Sequence, residues 1–193
     1  MSRKERRQAV LAERKKRKKA KAPPASELYG WMASLLPPPP GRVLEVGATP
    51  GGTAALEARG FTVVGTDARA LLAPGAFAGE PVDAVTCWLL DVPTGHPAVA
   101  ERLEAMGMQS AEEGRMALQT LVYRLADRVL RPGGVLQVVD RLGDALDADL
   151  AAGRVRLQRA QAKGTALDFA SIDTRPSGRE TLVSVRSLKK ARL

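Results

Sequence analysis

A chain of 193 residues with 45% hydrophobic positions can bury one sizeable core and is short for two. Its single cysteine, Cys87, excludes an internal disulfide, and with one histidine, His96, beside it a zinc cage is not expected. The formal charge of +9 is carried by the first 22 residues, where eleven Lys and Arg face Glu5 and Glu13; in the remainder, 19 basic and 19 acidic residues cancel.

The opening stretch, "MSRKERRQAVLAERKKRKKAKA", has Val10 and Leu11 as its large apolar residues after Met1, too few for a core-facing stripe. It reads as a tail, residues 1–22, disordered or helical on meeting a partner. Three roles fit it. Arg3, Lys4, Arg6, Arg7, Arg14, Lys15, Lys16, Arg17, Lys18, Lys19 and Lys21 can form a nucleic-acid arm, because clustered cations gain affinity by releasing counterions from phosphates. A solvated solubility tail and a nuclear address are the alternatives. No apolar run approaches the ~20 residues of a membrane helix, and the basic start is not followed by the apolar segment of a secretory signal, so a cytoplasmic protein with no membrane partner is expected.

Residues 23–40 form a short helix and a Pro-rich linker. "SELYGWMASLL" puts Leu28, Trp31, Met32, Leu35 and Leu36 on one side, and Pro37 to Pro40, which lack a backbone donor, stop it. From residue 41 onward, strands alternate with helices. "RVLEVG" predicts a buried strand, "GGTAALEARG" a helix closed by Gly60, "FTVVGTD" a second strand and "PVDAVTCWLL" a third. Leu118, Leu121, Val122, Leu125 and Val129 mark a helix ending at "RPGG", the strand "VLQVV" follows, and "RETLVSVRS" alternates as an edge or antiparallel strand. Strand and helix in alternation predict an α/β domain over residues 41–193: a doubly wound, mostly parallel Rossmann-like sheet with an antiparallel C-terminal strand.

In such a sheet, ligands bind beyond the carboxyl ends of the strands, where "VLEVGATPGG" sits. A dinucleotide fingerprint needs a second glycine for the approach of a pyrophosphate, and that position is Thr49; a Walker loop needs a Lys-Ser or Lys-Thr pair, which does not follow. The stretch resembles instead the first motif of the Rossmann-like S-adenosylmethionine methyltransferases, acid-x-Gly-x-Gly-x-Gly, at Glu45, Gly47 and Gly51, with Thr49 in place of the middle glycine. That resemblance implies S-adenosyl-L-methionine as cofactor. Gly47, Ala48, Thr49, Pro50, Gly51 and Gly52 would hold its amino acid portion, Glu45 would anchor near its ammonium group, and Asp67 and Ala68, 20 and 21 residues after Gly47, would serve its ribose. Trp88 could stack on the adenine or on an acceptor base, or belong to the core.

"VDAVTCWLLDVP" resembles the fourth motif of that superfamily, and "ADRVLRPGGVLQVVD" its helix, turn and fifth strand. The wording "GATPGG" and the closing "RPSGRETLVSV" are most similar to the RrmJ/FtsJ-like 2′-O-ribose RNA methyltransferases, which implies ribosomal or transfer RNA as the partner of the basic tail. That group works with a Lys, Asp, Lys, Glu set. Here the first acid's place is taken by Trp88, the strand lysine's falls at or near Asp140, the N-terminal helix has no lysine, and Glu180 alone matches. Asp91, just past the fourth-motif strand, is the other candidate for acceptor binding or deprotonation, unless it is a distant helix cap. Asp140 and Arg141 either line the same cleft or form a surface ion pair; His96 reads as a loop residue and Cys87 as a buried strand residue. The short gap from Asp67 to Asp83 leaves little room for a further regular strand.

Overall fold

The computed structural model describes residues 23–67, 70–71, 77, 79–89, 101, 104–108, 110–142, 148–178 and 180–191. The basic tail, Ala68, Asp91 and His96 lie outside the described residues. Helix α1 (Ala25–Ser34) starts after Pro24, whose carbonyl accepts from the Glu27 and Leu28 amides, and ends ahead of the four prolines. Strand β1 (Gly41–Val46) leads through a glycine turn into α2 (Pro50–Glu57), and the chain returns through Gly60, at a φ of +91° that favours glycine, to β2 (Phe61–Thr66). Then come β3 (Val82–Trp88), α3 (Ala111–Val129), β4 (Leu130–Leu142), α4 (Ala148–Gln161), β5 (Leu167–Ser177) and β6 (Glu180–Lys189). Helix α3 opens on a capping box in which Ser110 and Glu113 satisfy each other's backbone amides.

The strands form one sheet in the order β2-β1-β3-β4-β6-β5. Pairs β1–β2, β1–β3 and β3–β4 are parallel, whereas β6 runs antiparallel to both β4 and β5. The final strand is therefore interior and antiparallel, not an edge. Both faces are covered. Leu28, Met32, Ala33 and Leu36 of α1 and Leu56 of α2 pack on Val43, Ala84, Trp88, Val139 and Leu182, and α3 packs Leu118, Val122, Leu125 and Ala126 on Leu44, Val85, Leu136 and Val138. Alternate residues of each strand thus serve opposite layers, which is why β1 and β3 read as near-continuous apolar runs. Helix α1 belongs to this core: Met32 and Ala33 are wholly buried.

Two elements, α4 and β5, carry no strong sequence signal. Helix α4 turns Gln158 and Gln161 inward where an apolar stripe would be sought, and β5 is an edge strand of mixed burial. Between β2 and β3 no strand is present among the described residues, in keeping with the short gap.

Candidate functional site

The order reverses at β1, since β2 lies on one side of it and β3 on the other, so a crevice opens outside the carboxyl ends of these strands. Gly47 takes a φ of +72°, a value suited to glycine, and its amide and that of Ala48 both donate to the Thr66 carbonyl, at 2.8 and 3.1 Å. The turn is thereby tied to the end of β2. Thr49 is the N-cap of α2, its hydroxyl accepting from the Gly52 amide at 3.1 Å, and Pro50 occupies the first helical turn, where a missing N–H is harmless.

Under this turn lies Glu45, 2% exposed at the end of β1. Its carboxylate accepts from the Thr53 hydroxyl at 2.7 Å and from the Thr49 backbone amide, at the positive end of α2. Burial pushes the carboxyl above the usual carboxylate range, against the opposing pull of those two donors. Among the described residues no cation pairs with it. A Cβ on Gly52 would stand 2.1 Å from Glu45 Oε1, so only glycine lets the helix start sit directly on the acid. At Gly51 a Cβ would fall 2.8 Å from the ring of Tyr29.

Tyr29 is the site residue that sequence reasoning missed. Its hydroxyl lies 3.2 Å from Thr49 Oγ1, its ring rests on Gly51, and its centroid is 6.2 Å from that of Trp88. A tyrosine 22 positions before the glycine it covers has no local signature; the relevant clue was a half-polar aromatic on an otherwise apolar helix. Helix α1 is held in place from below. Gln137 donates to the Met32 carbonyl at 3.1 Å and to Ser184 Oγ at 3.0 Å while accepting from the Trp88 indole at 2.9 Å, and Arg186 donates to the Leu35 carbonyl at 2.6 Å.

The other predicted residues divide. Asp67 is exposed at the end of β2, beside the turn. Trp88, 3% exposed, spends its N–H on Gln137 in the core beneath Tyr29. Asp140 is neither cleft lining nor a surface pair: it is 6% exposed and accepts from Gln119 at 2.8 Å, Arg154 at 2.9 Å and Arg115 at 3.3 Å, joining β4 to α3 and α4. Arg141 instead pairs with Glu180 at 3.9 Å, with both side chains about half exposed. Burial, with the Asp140 charge second, pushes the Cys87 thiol up, so it is an inert core group.

No protein-family model matches the chain, and no curated protein does. Solved structures do match. A protein described as a "putative sarcosine dimethylglycine methyltransferase" from Galdieria sulphuraria aligns over 86% of this chain and 87% of its own, with a TM-score of 0.51 and 14% identity. The fold is that of the Rossmann-like methyltransferases. A "putative hemolysin" from Streptococcus thermophilus aligns over 86% of the chain and 66% of its own, with a TM-score of 0.54 and 10% identity. The N-methyltransferase NodS from Bradyrhizobium japonicum, solved with S-adenosyl-L-homocysteine, aligns over 94% and 99%, with a TM-score of 0.45 and 13% identity. In this sheet, Glu45, the glycine turn and Asp67 all stand at the carboxyl ends of β1 and β2, beside the switch-point crevice.

Proposed function

We propose that the protein is an S-adenosyl-L-methionine-dependent methyltransferase acting on RNA. The observation that carries the first part is the buried Glu45 beneath the glycine turn, with no cation of its own among the described residues. A pyrophosphate would need the free amides of the α2 start, yet the Gly52 amide is given to Thr49 and a carboxylate already lies under the turn. A ligand bearing an ammonium and a sulfonium group is complementary to that charge; a diphosphate is repelled by it. The residues present fit such a ligand through Glu45, a buried carboxylate that Gly52, having no Cβ, allows to lie directly against the turn. The likeness to a methyltransferase structure over 86% of the chain supports the same reading.

When bound, the cofactor supplies an already activated methyl group, so the protein's task is alignment and the exclusion of water. Glu45, Gly47, Gly51 and Gly52 would hold the amino acid end, and Asp67, exposed at the end of β2, would offer its carboxylate to the ribose hydroxyls. Tyr29 lies over the turn, with its hydroxyl 3.2 Å from Thr49 Oγ1 and its ring against Gly51. RNA is favoured as substrate by the eleven cations of residues 1–22 and by the resemblance to the RrmJ/FtsJ-like group. The lysine-based mechanism of that group is not carried over, because Trp88 and Asp140 stand where its acid and lysine are sought and both are engaged in the interior. That same engagement favours one second reading, a member that binds cofactor and RNA without transferring the methyl group.

Calorimetry with S-adenosyl-L-methionine and with NAD tests the cofactor; binding of the former that weakens in Asp67→Ala and disappears in Gly47→Val is the expected result, and binding of NAD alone would overturn it. Tritiated-methyl transfer into RNA, protein and small-molecule fractions separates the substrate classes, and label entering no fraction despite cofactor binding selects the silent member.

A further inference from the structure

A line of polar side chains crosses the sheet beneath α1 and α2. The register sets Glu45 of β1 beside Thr86 of β3, Thr86 beside Gln137 of β4, and Gln137 opposite Arg186 of β6. All four share one face, because along their strands they alternate in step with Val43, Ala84, Val139 and Leu182, which pack against those helices.

Three of the four are engaged. The Gln137 amide donates both its N–H groups, to the Met32 carbonyl and to Ser184 Oγ, and its oxygen accepts from the Trp88 indole. Arg186 donates to the Leu35 carbonyl, to Ser171 Oγ and to Asp173. Glu45 accepts from the Thr53 hydroxyl and the Thr49 amide. Thr86 is the exception: it is wholly buried, and among the described residues its hydroxyl has no hydrogen-bond partner. Such a group has lost its water and gained nothing in return.

Two acceptors flank it. Gln137 Oε1 already holds the indole N–H. The Glu45 carboxylate has about four lone-pair sites, of which two donors occupy two, and a charged acceptor makes the stronger bond. Neighbouring strands lie about 4.8 Å apart, so rotation about side-chain bonds brings the hydroxyl and the carboxylate within reach of each other. Burial alone favours the uncharged carboxyl, whereas a ligand that brings positive charge favours the carboxylate, and it is the carboxylate that gains from a third donor.

Resting on the reading that Glu45 anchors the ammonium group of S-adenosyl-L-methionine, we propose that Thr86 is a positioning residue for Glu45, its hydroxyl donating to the carboxylate when the cationic ligand binds. Being wholly buried, Thr86 acts through Glu45 and does not touch the ligand.

The test removes the hydroxyl and keeps the shape. The full chain is compared with Thr86→Val, with Thr86→Ser, with Glu45→Gln and with the double variant of Thr86→Val and Glu45→Gln. Calorimetry measures affinity for S-adenosyl-L-homocysteine, which carries the amino acid end, and for 5′-methylthioadenosine, which lacks it; melting temperature without ligand reports folding. Thr86→Val should melt no lower than the natural chain yet bind S-adenosyl-L-homocysteine roughly ten- to hundredfold more weakly, while Thr86→Ser stays within about threefold. Affinity for methylthioadenosine should be the same in all the Thr86 variants, and in the Glu45→Gln background Thr86→Val should cost nothing further. A Val variant that melts lower or binds as well as the natural chain, a penalty that Ser shares, one that extends to methylthioadenosine, or one that survives in Glu45→Gln would each overturn the role. If the natural chain binds neither ligand, the cofactor reading falls and this inference with it. Binding of S-adenosyl-L-homocysteine that Thr86→Val leaves unchanged removes the inference alone.

Discussion

Two acids close two strands of the same sheet and meet opposite fates. Glu45 at the end of β1 and Asp140 near the end of β4 are both buried, at 2% and 6% exposure. Asp140 is gripped by two guanidinium groups and an amide, so its charge is neutralised from within and its role is to fasten α3 and α4 to the sheet. Among the described residues Glu45 receives only a hydroxyl and a backbone amide, and burial raises its pKa. A buried carboxylate without an internal counter-ion is costly unless something else supplies the positive charge. The difference separates an acid matched from within from one that, among the described residues, has no internal counter-ion, as the proposed cationic ligand requires.

That contrast can be broken from either side. Asp140→Ala should have the largest effect, because Arg154 and Arg115 are left without their anion: about 3–5 kcal/mol of stability lost in denaturant unfolding, with S-adenosyl-L-methionine affinity preserved in the protein that remains folded. Next is Gly52→Ala. Its new methyl group must displace the Glu45 carboxylate from 2.1 Å, so stability falls by roughly 1–3 kcal/mol and calorimetry should find cofactor binding lost.

Glu45→Gln is expected to do the opposite of Asp140→Ala. Since the folded pKa of Glu45 is raised, its carboxyl binds its proton more tightly in the folded chain. The associated stability is fully present below the ordinary glutamate range and is lost as pH rises through the folded value. The Gln variant lacks that loss, so it should melt at a higher temperature than the natural chain at pH 7 and show less difference at pH 4. Its affinity for S-adenosyl-L-methionine should nonetheless drop roughly ten- to hundredfold, the worth of a hydrogen bond to a charged group. A variant that is neither stabler nor weaker in binding would erase the distinction between the two acids. Asp67→Ala should change stability least, within about 0.5 kcal/mol for an exposed side chain, while still weakening cofactor binding.

The sequence makes β1, β3 and β4 plain and α4 and β5 obscure, for a physical reason. Strands β1, β3 and β4 are covered on both sides, so Val43 to Val46, Val82 to Trp88 and Val135 to Val139 announce themselves as apolar runs, and the turn at Gly47 is legible because the backbone requires glycine there. Helix α4 presents glutamines inward, and β5, an edge, needs no such run. At the site, residues fixed by backbone geometry could be read locally. Tyr29 and the Gln137 link to Met32 could not, because each depends on a contact between distant segments. Asp140, at the end of an apolar strand, reads as a cleft residue or a surface ion pair, because Arg115 and Arg154, which pair with it, come from separate helices.

The burial of α1 also sets where this protein can be shortened. Met32 and Ala33 fill a hollow over Val43, Trp88 and Leu182, and Arg186 and Gln137 both reach up to its carbonyls. A polypeptide begun at Gly41, where the alternating pattern starts, would expose that oily hollow and take one acceptor each from Gln137 and Arg186, inviting self-association during expression. Trimming that stops at Pro23 leaves the hollow filled.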